Sequence, residues 1–271
     1  MTAAPRALFV RFGVLGDFIL TLPVLEALLA AGEVDVVCAG RFAPLLAYVP
    51  GAARIGRVWD SEGADVGWLF GGGPAPRHWD VAVGFSPAVG VALRRLGVPT
   101  VHHVAAAPDG PAARHFGAAL ELADPVPRLR VDQPGPPRLL LAPGASSPAK
   151  RDPPEWWEAV AAALSDLPVA WVLGPEEAGE SWPGLIHRPD LVETARLAAR
   201  SVWVGADSGP GHLAAAAGAQ VISRFRVTDP VRWAPHGARV YGPDATATEV
   251  AAGVRVLWNC AVPDDSADAS G

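Results

Sequence analysis

The sequence predicts an α/β protein of two doubly wound halves, each a parallel sheet covered by helices. Three observations predict it. Short apolar runs rich in Val, Leu and Ala alternate with helix-length segments from the first residues onward. Three prolines and a glycine are then packed into Asp132-Gln-Pro-Gly-Pro-Pro137, and the same alternation restarts after them. Half of the 271 residues are hydrophobic, enough for two cores, and 29 glycines and 28 prolines suit many short elements joined by turns. The expected division is a first domain over 1–133, a second over 134–262, and an acidic, aperiodic tail over 263–271 that should be mobile.

In the first half the apolar run at 7–11 reads as a buried strand, and the turn Gly13-Val-Leu-Gly16 leads to Asp17 and a helix through about Ala30. Gly32 stops that helix, a strand follows at 34–38, and 42–48 is helical. Pro50-Gly51 marks a turn before a strand at 54–58. The remaining elements are strands at 80–84 and 100–104 and helices at 87–96 and 111–122. Such repetition of strand and helix argues for parallel pairing, because crossover helices are what join parallel strands.

In the second half a strand at 138–142 runs into the loop 143–151 and a helix at 154–164. A strand at 169–173, a loop carrying Glu176 and Glu177, and a helix at 190–199 follow. The strand at 201–205 then passes through Asp207 into a helix at 210–217, and a strand at 220–224 and a last helix at 246–259 complete the pattern.

A net charge of −6 excludes a surface built to neutralise nucleic-acid phosphates, so any anion must be held locally. Cys38 and Cys260 are far apart and match no metal-ligand spacing; they read as two reduced thiols, and no metal site is expected. His102-His103 finds no further ligands, and the ten tryptophans are dispersed. The first apolar run is too short for a signal-peptide core, and the stretch 18–31, broken by Pro23 and Glu26, is too short to cross a membrane. A cytoplasmic chain, at most peripheral to a membrane, is expected.

Three loops carry the chemistry. In Val204-Gly-Ala-Asp-Ser-Gly-Pro-Gly-His-Leu213 a buried strand feeds a helix through small residues, with Ser208 or Gly209 suited to cap and Pro210 to the first turn. Such a helix start offers free N–H groups and a positive dipole end to an anion, and Ser208 and His212 can add hydrogen bonds. The loop Pro143-Gly-Ala-Ser-Ser-Pro-Ala-Lys-Arg151 leaves its own strand at the same end of the sheet and holds Lys150, the only lysine in the chain. The third, Arg11-Phe-Gly-Val-Leu-Gly-Asp17, lets backbone approach closely at Gly13 and Gly16 but is neither a dinucleotide fingerprint nor a Walker loop. Asp17 reads there as a helix cap or as a carboxylate able to take a proton from a hydroxyl. No serine sits in a Gly-x-Ser-x-Gly elbow, which disfavours nucleophilic catalysis.

Four blocks together resemble the bacterial heptosyltransferases of glycosyltransferase family 9, which use ADP-heptose to extend lipopolysaccharide cores. They are Val10-Arg-Phe-Gly-Val-Leu-Gly-Asp17, Ala142-Pro-Gly-Ala-Ser-Ser-Pro-Ala-Lys-Arg151, Gly205-Ala-Asp-Ser-Gly-Pro-Gly-His-Leu-Ala214 and Thr228-Asp-Pro-Val-Arg-Trp-Ala-Pro235. The resemblance implies a GT-B fold: two facing Rossmann-like domains with a cleft between them, the acceptor on the first and the donor on the second. It implies an inverting, metal-independent transfer with no cofactor, the ADP-sugar being a substrate, onto a saccharide or glycolipid acceptor at the inner membrane face. Carried over, Asp17 would be the general base beside Gly13 and Gly16. Ser146 and Lys150 would contact donor phosphate, Asp207 the heptose hydroxyls, and Ser208, Gly209, Gly211 and His212 the diphosphate. Glu176 or Glu177 would bind the ribose.

Two departures stand out. The chain is shorter than typical members, chiefly in the first half, where Arg41, Arg54, Arg77, Arg94, Arg95 and Arg114 are candidates to meet an anionic acceptor. Around Ser223-Arg-Phe-Arg-Val227 the usual Phe-Gly-Pro is lost. The alternatives left open are another nucleotide sugar on the same fold, and a donor-binding protein without turnover.

Overall fold

The structure, a computed structural model, describes residues 4–71, 73–105, 109–132, 135–177 and 179–261. The expected acidic tail and part of the proline-rich linker lie outside them. The chain divides into two compact units, Met1–Arg130 and Val131–Gly271.

The first unit runs β1 (Arg6–Val10), α1 (Leu15–Leu20), α2 (Leu22–Ala31), β2 (Glu33–Cys38), a 3₁₀ helix (Gly40–Tyr48), β3 (Ile55–Asp60), α3 (Trp68–Gly71), β4 (Val81–Gly84), α4 (Pro87–Arg95), β5 (Thr100–His103) and α5 (Ala112–Gly117). Its five strands pair in parallel in the order β3-β2-β1-β4-β5. β1 and β2 lie inside this sheet and are buried almost throughout, which is why they read as continuous apolar runs.

The second unit runs β6 (Leu139–Ala142), α6 (Pro154–Ala163), β7 (Val169–Val172), β8 (Leu185–His187), α7 (Leu191–Ala198), β9 (Val202–Ala206), α8 (Gly209–Ala216), β10 (Gln220–Arg224), α9 (Pro230–Trp233), β11 (Arg239–Tyr241) and α10 (Ala247–Ala261). Six parallel strands are ordered β11-β10-β9-β6-β7-β8. Numbered within the unit this is the 3-2-1-4-5-6 order of a doubly wound nucleotide-binding sheet. The α/β fold class is therefore observed, twice.

The structure corrects several element boundaries. The helix expected from Asp17 to Ala30 is two helices: Pro23 has no N–H to continue the ladder, and Thr21 turns the chain by donating its hydroxyl to the Phe18 carbonyl at 2.8 Å. Pro44 lies inside the next segment, which is 3₁₀ rather than α. The helix expected at 111–122 is α only over Ala112–Gly117, then 3₁₀ to Leu120, and stops where Glu121 takes a left-handed φ of 54°. β8 and β11, unforeseen, are three-residue edge strands, too short for a period to show.

The tryptophans are not dispersed in space. Trp59, Trp68 and Trp79 pack together in the first core, and Trp171 stacks on Trp182 in the second with ring centroids 4.4 Å apart. Caps follow local chemistry: Asp190 accepts from the Glu193 N–H at 2.8 Å, and Thr246 with Glu249 forms a reciprocal capping box at the start of α10. No helix among the described residues is long and apolar enough to cross a membrane.

Candidate functional site

In the second unit the strand order reverses between β6 and β9, which pair directly with Ala142 opposite Gly205. At such a switch point the two outgoing loops diverge and leave a crevice beyond the carboxyl ends of the strands. The loop after β6 is 143–151 and the loop after β9 contains Asp207 and Ser208, so topology alone brings the two sequence motifs together. A cavity of about 210 Å³ lies there, lined among others by Ser146, Leu173, Glu177, Leu191, Ser208 and Pro210. Its lining mixes the polar Ser146, Glu177, Thr194 and Ser208 with the apolar Val172, Leu173, Pro189 and Leu191.

Ser208 occupies the N-cap of α8 by backbone geometry, but its side chain makes no cap hydrogen bond. The capping role expected for it is thus not realised. Its Oγ is instead buried without a partner among the described residues while the residue lines the cavity, a polar group left for something else to satisfy. The Gly211 N–H already donates to the Ser208 carbonyl at 3.1 Å. An anion at α8 would accordingly meet the dipole and the groups ahead of Gly211.

Asp207 is neither a cap nor free. Lys150 Nζ stands 2.7 Å from its Oδ2, the Thr228 hydroxyl donates to the same oxygen, and its own N–H donates to the Arg224 carbonyl at 2.9 Å. Lys150 is about a quarter exposed and Asp207 buried, so the ammonium is the member of the pair that solvent and ligands can reach.

His212, on the first turn of α8, is buried. Burial pulls its imidazole down to about 4; Asp207 works against this, Lys150 adds to it, and a hydrogen bond with the Trp233 backbone opposes it. At neutral pH it is therefore a neutral ring and brings no charge to a phosphate. Its folded value lies below the unfolded one of about 6.5, so its contribution to stability is complete above that and is lost as pH falls towards 4. His212→Gln is expected to flatten a fall on the order of 3 kcal/mol across this window, read by urea unfolding at a series of pH values.

Of the two ribose candidates, Glu176 lies in the 3₁₀ turn Pro175–Glu177 with its side chain outside what is described. Glu177 is committed to structure: it accepts from the Gly174 N–H at 2.9 Å and faces Arg151 at 3.3 Å. Gly144 makes room for it, since a Cβ there would meet the Glu177 carboxylate at 2.4 Å. Ser146 is exposed at the cavity mouth.

The first unit has its own switch point, between β1 and β4. Gly13 there has φ 109°, a conformation that needs glycine. The chain then enters α1 with Val14 at the N-cap, which places Asp17 on the first helical turn rather than at the cap, with Gly16 buried beside it. Asp17 Oδ2 is 2.9 Å from the buried Arg11 guanidinium, itself seated over the Phe85 and Phe116 rings at 5.3 and 4.8 Å. Desolvation raises the Asp17 carboxyl above its ordinary range in spite of Arg11, which pulls it down. A half-buried carboxylate of raised basicity is suited to accept a proton.

Most of the arginines considered for an acceptor are engaged locally. Arg41 pairs with Glu62 at 2.7 Å, Arg77 with the buried Asp35 at 2.9 Å, Arg54 and Arg95 donate to backbone carbonyls, and Arg94 lies against His103. The feature missed by sequence reasoning is a buried cluster below the lysine loop: Asp152 accepts from Arg224 Nη2 and Arg226 Nη1, each at 2.8 Å. Its signal was present in the acid two residues after Lys150 and the two arginines standing where Phe-Gly-Pro is lost. Among the described residues, no group of three or more His, Cys, Asp or Glu side chains is placed to hold a metal ion.

Residues 116–248 match the model of glycosyltransferase family 9 (heptosyltransferase). The fold is similar to that of a glycosyl transferase family 9 protein from Veillonella parvula, at 16% identity over 96% of this chain and 97% of that one, with a TM-score of 0.73. It is likewise similar to the ADP-heptose lps heptosyltransferase II of E. coli, at 18% identity over 93% and 98% of the two chains and a TM-score of 0.71. The E. coli heptosyltransferase WaaC, in a structure with ADP, aligns at 19% identity over 95% and 100%, with a TM-score of 0.67. No protein of curated function matches the chain by sequence.

Proposed function

We propose that this chain, whose residues 116–248 match glycosyltransferase family 9, is a member of that family and transfers a heptosyl group from ADP-heptose to a hydroxyl of a saccharide acceptor such as a lipopolysaccharide inner core, with inversion and without a metal. The observation that carries the reading is the cavity at the β6/β9 switch point, lined by Ser146 of the lysine loop and by Ser208 and Pro210 at the start of α8, while Lys150 of the same loop pairs with Asp207, the residue before Ser208. That set of groups suits a diphosphate, and the apolar lining residues Leu173, Pro189 and Leu191 suit a nucleobase.

In the step proposed, Asp17 takes the proton of the acceptor hydroxyl as its oxygen bonds to the anomeric carbon. The bond from that carbon to the β-phosphate oxygen breaks, and its electron pair leaves on ADP. The α8 dipole and Lys150 stabilise the charge as it grows on the leaving group, and preorganised charge of this kind is worth most in a site that excludes water. Membrane contact, if the acceptor is a glycolipid, would be peripheral.

Calorimetric titration with ADP, UDP and GDP in the presence of a chelator tests the donor half. ADP is expected to bind in preference to the other two, and Lys150→Ala to weaken it by about tenfold or more, the worth of a charge-assisted hydrogen bond. Preference for UDP or GDP would move the reading to another nucleotide sugar. Donor binding with no transfer to any acceptor would favour a binding protein.

A further inference from the structure

We propose that Thr228 is a positioning residue that releases Lys150 to the donor phosphate by keeping Asp207 satisfied when the lysine leaves it; the proposal rests on the donor reading above. One carboxylate oxygen, Asp207 Oδ2, is ion-paired with the Lys150 ammonium at 2.7 Å and accepts from the Thr228 hydroxyl. Asp207 is buried, and withdrawing the ammonium beside it would leave a desolvated charge without compensation. A lysine so held would be a poor phosphate ligand, because its attraction to phosphate would be offset by the attraction it gives up at Asp207. A second donor on the same oxygen changes that balance: when Nζ swings away, the hydroxyl remains.

The surroundings keep Thr228 in place for this task. Its segment is anchored two residues earlier by Arg226 on buried Asp152, and four residues earlier by Arg224, whose Nη2 binds Asp152 and whose carbonyl accepts from the Asp207 N–H. The segment 224–228 thus grips Asp152, the residue after the lysine loop, and Asp207 in the turn before α8, through both backbone and side chain. Asp229, which follows, accepts from the Val231 N–H at 2.9 Å and starts α9, so the register of Thr228 is fixed from both sides.

The experiment compares ADP with adenosine on the whole protein and on Thr228→Val and Thr228→Ser. Thr228→Val keeps the shape and removes the donor. It is expected to weaken ADP by about tenfold, the range for a hydrogen bond to a charged group, and to leave adenosine binding unchanged. Thr228→Ser is expected to restore ADP binding. Equal ADP affinity in wild type and Thr228→Val, or equal loss for ADP and adenosine, would overturn the proposal while leaving the donor reading intact. Failure of the wild-type protein to bind ADP at all would overturn both.

Discussion

Asp17→Asn is expected to bind ADP as the wild type does and to lower transfer by about 10²–10⁴-fold, the usual worth of a general base. Asparagine is the informative replacement. Arg11 is buried, and its carboxylate partner sits 2.9 Å away; alanine would leave that guanidinium, among the described residues, to the faces of Phe85 and Phe116, whereas an amide oxygen can still accept from it. Loss of transfer with Asn therefore reports lost basicity rather than a collapsed pocket. The pH profile supplies an independent check. Desolvation raises the Asp17 carboxyl, and the base works only when deprotonated, so kcat/KM should fall as pH drops through a value above the ordinary carboxylate range. A profile flat through that region, or an Asn variant with undiminished transfer, would remove Asp17 from the reaction.

Asp152→Ala is expected to cost about 3–5 kcal/mol of stability, the largest structural effect of any single change considered. Arg224 is almost wholly buried, with its guanidinium over the Trp156 ring at 4.6 Å, and it relies on Asp152 to balance its charge. Truncating the acid leaves a buried cation unpaired. Replacing both members, Asp152→Ala with Arg224→Met, should recover much of the loss, because an apolar core without charges is more stable than one with half an ion pair. Thermal unfolding of the two variants checks this. A double variant no more stable than the single one would mean that Asp152 acts through packing of the lysine loop and not as a counter-charge.

How far the fold could be read in advance follows from which signals are local. β6 and β9 are buried on both faces and stand out as apolar runs, so the strands flanking the site were legible together with the glycine-bearing turns that leave them. Parallel pairing then followed from the intervening helices, and with it the meeting of the lysine loop and the Asp207 turn. The break at Thr21, two residues before Pro23, and the 3₁₀ form of the segment holding Pro44 were legible in principle, since proline states its own restriction. β8 and β11 were not, because three residues carry no period and are strands only by virtue of a neighbour.

The site divides along the same line. Loop residues suited to hold an anion could be named from composition and spacing. What each side chain touches could not: the carboxylate of Glu177, a ribose candidate, meets the Gly174 N–H and Arg151, and His212, a candidate for the diphosphate, is buried as a neutral ring. Ser208, expected as a cap, makes no cap hydrogen bond; the residue lines the cavity and its buried hydroxyl has no partner among the described residues. Asp152, Arg224 and Arg226 lie up to 74 positions apart in sequence, and nothing short of the folded sheet brings them together.

Incubation with ADP-heptose and an inner-core saccharide, following ADP release and the anomeric configuration of the product, tests the central claim most directly. One ADP should appear for each acceptor heptosylated, with the configuration inverted, and Asp17→Asn should suppress both. ADP release without a glycosylated product, retention of configuration, or turnover of a different nucleotide sugar in place of ADP-heptose would contradict it.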